Sequence, residues 1–566
     1  MTLRQLSGLL AVASLSIIST ADPAQGDPSV VWARDMIGPY IDHSADINLF
    51  DEMAFSAEQT TYLPLRYNLQ PTSASVIGER HKRVRGKGTQ TSLKAIQAPM
   101  RLEMPAEQKE REARLRAVRR GFEHAWQGYR KYAWGHDEVQ PVSGAVKDNL
   151  NGWGATLVDS LDTLIIMGFD REFDEAVEWI RTSLVMNKDP AMSLSFFETA
   201  IRYLGGFLSA YDLSGEQVLL DKAQELGGYL LNAFQFGVFP TGRVAVDAGS
   251  NYRQHMFVLA EIGTIQVEFT RLSKLTGNPV FEQKARGVID TINKSNTELP
   301  GLYPSQVGES SRGYSNYGAS VGGQADSFYE YLLKEWILLD GKNDEFRDMF
   351  LRAVDTIEQY MVARPESGSQ EYAIIGSISS KDKRLDPQME HLGCFMAGSL
   401  AMSSKYFDRP QDLVLARQVA ESCFLTYRHS VTGLGPENAS FDAFNTEGTV
   451  FKVEPETFYS RYRSSQQYIL RPEAIESLWI LYRTTGEKKY QDQAWEMFQN
   501  LERSCRTNTA YSGLLDVNMP GSHDDKMESF FMAETMKYYY LIFSTPDVIS
   551  LDNFVLNTEA HPIRRT

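Results

Sequence analysis

From about residue 109 onward, apolar positions recur at three- and four-residue spacing, and stretch after stretch opens on an acidic or polar group. In "ILRPEAIESLWILYRTTG", Ile475, Leu478, Trp479 and Tyr482 mark one face of a helix entered at Pro472. Glu473 and Glu476 share a face one turn apart at its start. A single acidic first turn says little, because it complements the helix dipole or caps the N-terminus. The pattern recurs, however, at Asp159 in "VDSLDTLIIMG", Glu198 in "FFETAIRYLGGFLSAYDLSG" and Glu261 in "AEIGTIQVEFTRLSKLTG". It returns at Asp326 in "ADSFYEYLLKEWILLDG", at Glu390 and His391 in "MEHLGCFMAGSLAM", and at Glu528 in "KMESFFMAETMKYYYLIF". Several stretches stop at a glycine, as in "LSKLTG" and "LYRTTG". Openings 39 to 82 residues apart leave room for two helices per unit, a degenerate repeat of helical hairpins.

Seven such hairpins, without a convincing series of alternating strand segments, predict an all-α toroid. Its inner helices would bring their acidic first turns together at one end of the axis. An open solenoid would show the same repeat. The amphipathic stripe Leu115, Val118, Phe122 and Trp126 marks the first helix of a domain expected over 109–566. Residues 22–108 are poorly periodic and carry the basic run "HKRVRGKGTQTS", so they are expected to form a poorly structured stem or linker with a solvated charge cluster. Residues 1–21, with an apolar run from Leu6 to Ile18 followed by small residues, are expected to be a signal peptide or a short signal anchor. The run is short for a bilayer span, yet membrane anchoring through it stays open.

Composition narrows the chemistry. The 566-residue chain has a formal charge of −16, which repels phosphate backbones, and it has no zinc-finger or aromatic-basic motif, so nucleic acid is not an expected partner. Cys394, Cys423 and Cys505 allow one disulfide in any of three pairings. Asn293 in "NKS" and Asn438 in "NAS" are glycosylation sequons that suit a secretory chain. No HExxH, nucleophile elbow, Walker A or paired CxxC framework is present. Carboxylates are the abundant asset. They suit a hard cation such as Ca2+, or glycoside hydrolysis by one carboxylic acid and one carboxylate. Aromatic faces such as Phe530 and Trp479 could stack on a sugar, although helical aromatics more often serve the core.

The motifs "NGWGATLVDSLDTLIIMG", "FFETAIRYLGGFLSAYDLSG", "ADSFYEYLLK", "HLGCF", "GLGPE", "ILRPEAIES", "MESFFMAETMKYYYLIF" and "LNTEAHP" resemble, in order over about 115–563, the class I α-1,2-mannosidases of glycoside hydrolase family 47. The resemblance implies an (α/α)7 barrel, an inverting mechanism and bound Ca2+. It casts Glu198 as the general acid, Glu473 as the base that activates water and Asp326 as the third catalytic carboxylate. It further implies Thr558 as the metal residue, and Arg202, His391, Glu437, Glu476, Phe530, Glu534 and Glu559 as the sugar pocket. The family disulfide maps onto Cys394 and Cys423. The implied activity is removal of terminal α-1,2-mannose from high-mannose N-glycans on glycoproteins in the ER or Golgi lumen. The contrasting expectation is a degradation-enhancing mannosidase-like protein that binds and sorts glycans with little or no catalysis; such proteins usually lack the cysteine pair. One position departs from the pattern: members that stop after one mannose commonly carry Arg two residues before the catalytic Asp, where this chain has Gln324.

Overall fold

The computed structural model describes residues 63–565 apart from 64, 87–90, 100–101, 296, 309–317, 366–369, 380–381, 442–450 and 453–464. The apolar N-terminal run lies outside the described residues. Among those described, no helix is long and apolar enough to cross a membrane.

The periodic stretches become antiparallel helix pairs. They are α3 (Leu161–Met167) with α4 (Asp170–Ser183), α5 (Gly205–Ser214) with α6 (Gln217–Leu230), and α7 (Gln266–Thr276) with α8 (Val280–Asn293). Then come α9 (Asp326–Leu338) with α10 (Asp344–Tyr360), α11 (Phe395–Tyr406) with α12 (Pro410–His429), and α13 (Glu473–Thr485) with α14 (Lys489–Cys505). The seventh pair joins the chain's two ends. Helix α15 (Met536–Phe543) packs on α2 (Pro105–Tyr132), which follows the short α1 (Ala74–Val84).

The odd-numbered helices from α3 to α15 touch one another in succession, and the segment leading into α15 returns to α3, so the ring closes. The fold is an (α/α)7 barrel, as the family resemblance implies, and not the open solenoid that the repeat left possible. Inner helices are buried nearly all round: every residue of α9 except its first is buried, Glu330, Lys334 and Glu335 included. Outer helices such as α10 are strongly amphipathic, burying Phe346, Met349, Phe350 and Ile357 and leaving their charges in water. Gly277 and Gly486 adopt positive φ (70° and 74°) at the ends of α7 and α13, the left-handed turn that the "LTG" and "TTG" stops require.

Two features were not expected. Short antiparallel strand pairs precede several inner helices: β1 (Ser193–Ser195) with β2 (Arg243–Ala245), β3 (Met256–Val258) with β4 (Gln306–Gly308), and β5 (Gln388–Glu390) with β6 (Asn438–Phe441). At three or four residues they are too short to print an alternation in the sequence. The C-terminal hairpin, β7 (Phe554–Leu556) and β8 (Pro562–Arg564), enters the ring itself. At its tip, Asn557 Nδ2 donates to Ile201 O (2.9 Å) and Glu268 Oε1 (2.8 Å), while Asn557 O accepts from Lys334 (3.2 Å) and Ala560 O from Lys537 (2.7 Å). Those four partners lie on four inner segments, which places the tip on the axis.

The boundary expected at 109 is corrected, because ordered structure begins earlier. Arg80 of α1 is buried, bonds Asp174 (2.7 Å) and lies over the Phe173 ring (4.6 Å). Thr91 and Ser92 bond Asp340, and the Ile96 N–H reaches Asp552 (2.7 Å). These are tertiary contacts of single residues, invisible to a periodicity search. Within the basic run, Lys82 and Arg85 are exposed as expected, whereas Arg83 reaches the Asp212 carbonyl (3.4 Å). Cys394, at the entry to α11, is bonded to Cys423 of α12, with Cα atoms 6.1 Å apart. Cys505 is free and buried.

Candidate active site

Each acidic opening is placed by the backbone before it. Strand β1 runs into the helical turn Phe196–Glu198, capped by Ser195. The next turn, Thr199–Leu204, is π-helical, a widened turn that often marks functional positions. It brings Arg202 back over Glu198: Nε donates to Glu198 Oε2 (2.8 Å) and Nη1 to Glu559 Oε2 (2.8 Å) and Ser529 Oγ (3.2 Å). Phe530 packs beneath this guanidinium, 5.7 Å from ring centre to Cζ, with 8% of its surface exposed. A second π turn, Phe531–Thr535, carries Glu534.

Asp326 and Glu473 each occupy the first position of an inner helix. The N-cap residues before them, Ala325 and Pro472, make no side-chain capping bond. Glu473 Oε2 accepts from His391 Nδ1 (2.8 Å). Since a carboxylate only accepts, Nδ1 carries the proton, and Nε2 of a neutral ring accepts from the Tyr427 hydroxyl (2.7 Å). Arg471, two residues before Glu473, forms a bidentate pair with Glu437 (2.7 and 2.8 Å) and stands 3.8 Å from Glu473 Oε1. Burial works against charge on Glu473, but the His391 hydrogen bond and the Arg471 guanidinium outweigh it and hold the carboxyl below its usual value. Asp326 Oδ1 accepts from the adjacent Ser327, through its N–H (2.8 Å) and more weakly its hydroxyl (3.4 Å). Burial, with repulsion from Glu390, Glu330 and Glu473, pushes it up to about 7.

Deeper in the ring, Glu476 accepts from the Tyr538 hydroxyl (3.2 Å) and lies 3.6 Å from Lys334, which also pairs with Glu330. Burial raises Glu476 and Glu559 to about 8 each and drives Glu534 far above its usual value, repulsion from Glu559, Glu473 and Glu476 adding to it there. Trp479 is a core residue, 1% exposed against Tyr538, and not a stacking face for sugar. Thr558 is half-buried at the hairpin tip, its N–H bonded to the Tyr331 hydroxyl (3.2 Å).

The fold thus gathers the expected residues into two connected clusters, Glu198–Arg202–Glu559–Phe530 and His391–Glu473–Arg471–Glu437, with Glu534 feeling carboxylates of both. Glu390 was marked as an acidic opening, whereas Arg471, Tyr427, Glu330 and Lys334 were missed. Arg471 had a faint signal as the basic residue of "LRPE"; the others look like ordinary helix positions. Among the described residues no three His, Cys, Asp or Glu side chains converge as a ready metal cage. The tip of the hairpin nevertheless sits beside the buried carboxyls Glu268 and Glu559, and Glu268 Oε2 has no hydrogen-bond partner there. Oxygen donors of this kind fit a hard cation that keeps much of its water.

Residues 121–565 match the pattern of glycosyl hydrolase family 47. The chain belongs to that family. It is 39% identical over 478 residues to mannosyl-oligosaccharide 1,2-alpha-mannosidase IA of Sus scrofa, covering 81% of this chain and 69% of the relative. It is 37% identical over 452 residues to the endoplasmic reticulum mannosyl-oligosaccharide 1,2-alpha-mannosidase of Homo sapiens, covering 78% and 62%. The solved structure of alpha-1,2-mannosidase from Trichoderma reesei superposes with a TM-score of 0.72 at 31% identity, covering 80% of this chain and 99% of that one. As a family 47 member the chain is a glycosidase, and the carboxylates of its inner rim are the residues available for that chemistry.

Proposed function

We propose that this family 47 enzyme removes terminal α-1,2-linked mannose from high-mannose N-glycans with inversion at the anomeric carbon. The observation that carries the reading is that Glu473 alone among the site's perturbed carboxyls is pushed down, by His391 and Arg471. A base must be ionised at working pH, and its neighbours are held toward the protonated form. Glu473 takes a proton from water while the hydroxyl oxygen bonds to the anomeric carbon. The glycosidic bond breaks, and the leaving oxygen receives a proton from Glu198, directly or through a water, with Arg202 holding the Glu198 carboxyl in place. Asp326, titrating near neutrality, donates a hydrogen bond to sugar when protonated. Phe530, Glu437, Glu476, Glu534 and Glu559 shape the pocket that holds the ring.

Calcium is part of the proposal: Thr558 would hold it through its oxygens, and bound Ca2+ would bind and orient sugar hydroxyls. The relatives' names support work in the secretory pathway, with the N-terminal run as signal or anchor. Incubation of purified protein with Man9 glycan and Ca2+ should release mannose. Tight binding without release would replace this reading with the glycan-sorting one.

A further inference from the structure

Below the sugar-facing rim lies a fully buried charged network that the reaction does not use directly. His561, from the hairpin tip, places Nδ1 2.7 Å from Asp162 Oδ2 and Nε2 3.0 Å from Asp159 Oδ1, and all three residues are 0% exposed. Both partners are carboxylates. Each ring nitrogen therefore donates, and the ring is an imidazolium. Lys537 pairs with the other oxygen of Asp162 (2.8 Å), which also accepts from Ser209 (2.8 Å, at Oδ2). Asp159 turns its second oxygen the other way: it accepts from Ser529 Oγ and lies 3.6 Å from Arg202 Nη1, and Ser529 Oγ accepts in turn from Arg202 Nη1. The remaining charged groups around the ring are Glu268 and Glu559.

The helix that faces the hairpin is cut to receive it. A Cβ on Gly205 would meet Asn557 Nδ2 at 2.5 Å and His561 Cδ2 at 2.9 Å, so the first glycine of "YLGGF" is the space the tip occupies. The Asn557 Oδ1 atom accepts from the His561 N–H (2.8 Å), which fixes the ring's backbone.

We propose that His561 is a positioning residue for the general acid. By occupying one oxygen of Asp159, it leaves Arg202 to pair with Glu198 and Glu559 and not to turn down onto Asp159. The imidazolium and the guanidinium compete for one carboxylate. With His561 present, Asp159 is already neutralised and holds Arg202 only loosely, through Ser529 and across 3.6 Å, against 2.8 Å for Glu198 and Glu559. Without it, Asp159 is a buried unpaired charge, for which Arg202 is the nearest cation. Arg202 then swings away from Glu198, which loses its partner and holds its proton more tightly. This inference rests on the reading of Glu198 as the acid.

The test uses the full chain with His561→Gln and Ser529→Ala, measuring kcat, KM and the pH profile on Man9 beside thermal melting. His561→Gln should lower kcat by roughly 10- to 100-fold, the cost of misplacing a catalytic group by about an ångström, with KM changed little. Its alkaline limb should move upward by half a unit or more on the order expected for one lost charge contact. Ser529→Ala, which cuts the bridge without leaving a buried charge, should move the same limb in the same direction by less. A limb that stays in place in Ser529→Ala and in folded His561→Gln overturns the proposal, as does a kcat that falls only in step with melting temperature. If His561→Gln does not fold, the direction of the Ser529→Ala shift decides. A wild-type enzyme that releases no mannose, or a Glu198→Gln variant that keeps the alkaline limb, strikes the underlying reading of Glu198 instead.

Discussion

Asp326 and Glu473 hold equivalent places in two hairpins, each the first residue of an inner helix behind a residue of positive φ a short way upstream, Gln324 (74°) and Leu470 (69°). Their chemistry differs. Glu473 meets a histidine from the preceding hairpin and an arginine on its own lead-in, and stays ionised. Asp326 meets three carboxylates and, as hydrogen-bond donor, only the adjacent Ser327 among the described residues, and is raised to about 7. The same local motif therefore carries a carboxyl held below its usual value in one hairpin and one raised to about 7 in the other. The difference lies in the charged groups around each carboxyl: His391 from the preceding hairpin and Arg471 on its own lead-in for Glu473, and Glu390, Glu330 and Glu473 for Asp326.

The comparison breaks most sharply at the base. Glu473→Gln should lower kcat by about 10³-fold or more, since the amide takes no proton, whereas a folded variant that keeps a tenth of wild-type turnover on Man9 would remove Glu473 from that role. Next comes the cation proposed at Thr558. Stripping Ca2+, or Thr558→Ala, should cost about 100-fold in activity and also lower the melting temperature, because a cation bound only to the folded enzyme contributes to both. Full activity and unchanged melting after exhaustive chelation would end the metal proposal.

Stability against pH separates the two directly. Asp326 is raised from 3.8 to about 7, so its contribution is fully present below the unfolded value and is lost as pH rises through about 7. Asp326→Asn should therefore match wild type near pH 4 and exceed it at pH 8, with a ceiling of about 4 kcal/mol. Glu473 is depressed below 4.5, so its contribution is present above that value and lost as pH falls through the lower, folded one. Glu473→Gln should be less stable than wild type at pH 8, and the deficit should fade in acid. Melting curves of the two amides at both pH values check the opposite signs; shifts of the same sign would mean the two environments are not distinct.

The smallest effect is at Gln324, exposed on the rim two residues before Asp326. A neutral amide fixes a glycan branch less firmly than a guanidinium fork, so trimming of Man9 should run past a single Man8 product. Gln324→Arg should slow the later cleavages a few-fold relative to the first, because one added charge-assisted contact is worth roughly 1 to 2 kcal/mol. A product ladder unchanged by the substitution would show that position 324 does not set the end point.

Helix periodicity, glycine stops and seven acidic openings were legible in the chain because they depend on residues three or four apart; a repeat of helical hairpins followed from them, whereas an open solenoid was excluded only by the contacts that close the ring. Glu198, Asp326 and Glu473 could be named from motifs, and the Cys394–Cys423 bridge from the family resemblance. The opening at Asp159 shows the limit of that reading: it has the same local form, yet its carboxylate faces His561 across 402 residues of sequence. Likewise His391 and Glu473 are 82 residues apart and Arg202 and Glu559 are 357. Local pattern determined where helices start and which face they bury. Whether a carboxyl at such a start is ionised, protonated or locked to a cation was decided only by tertiary structure, because desolvation and charge pairing depend on groups that the closing of the ring and the insertion of the C-terminal hairpin bring within a few ångströms.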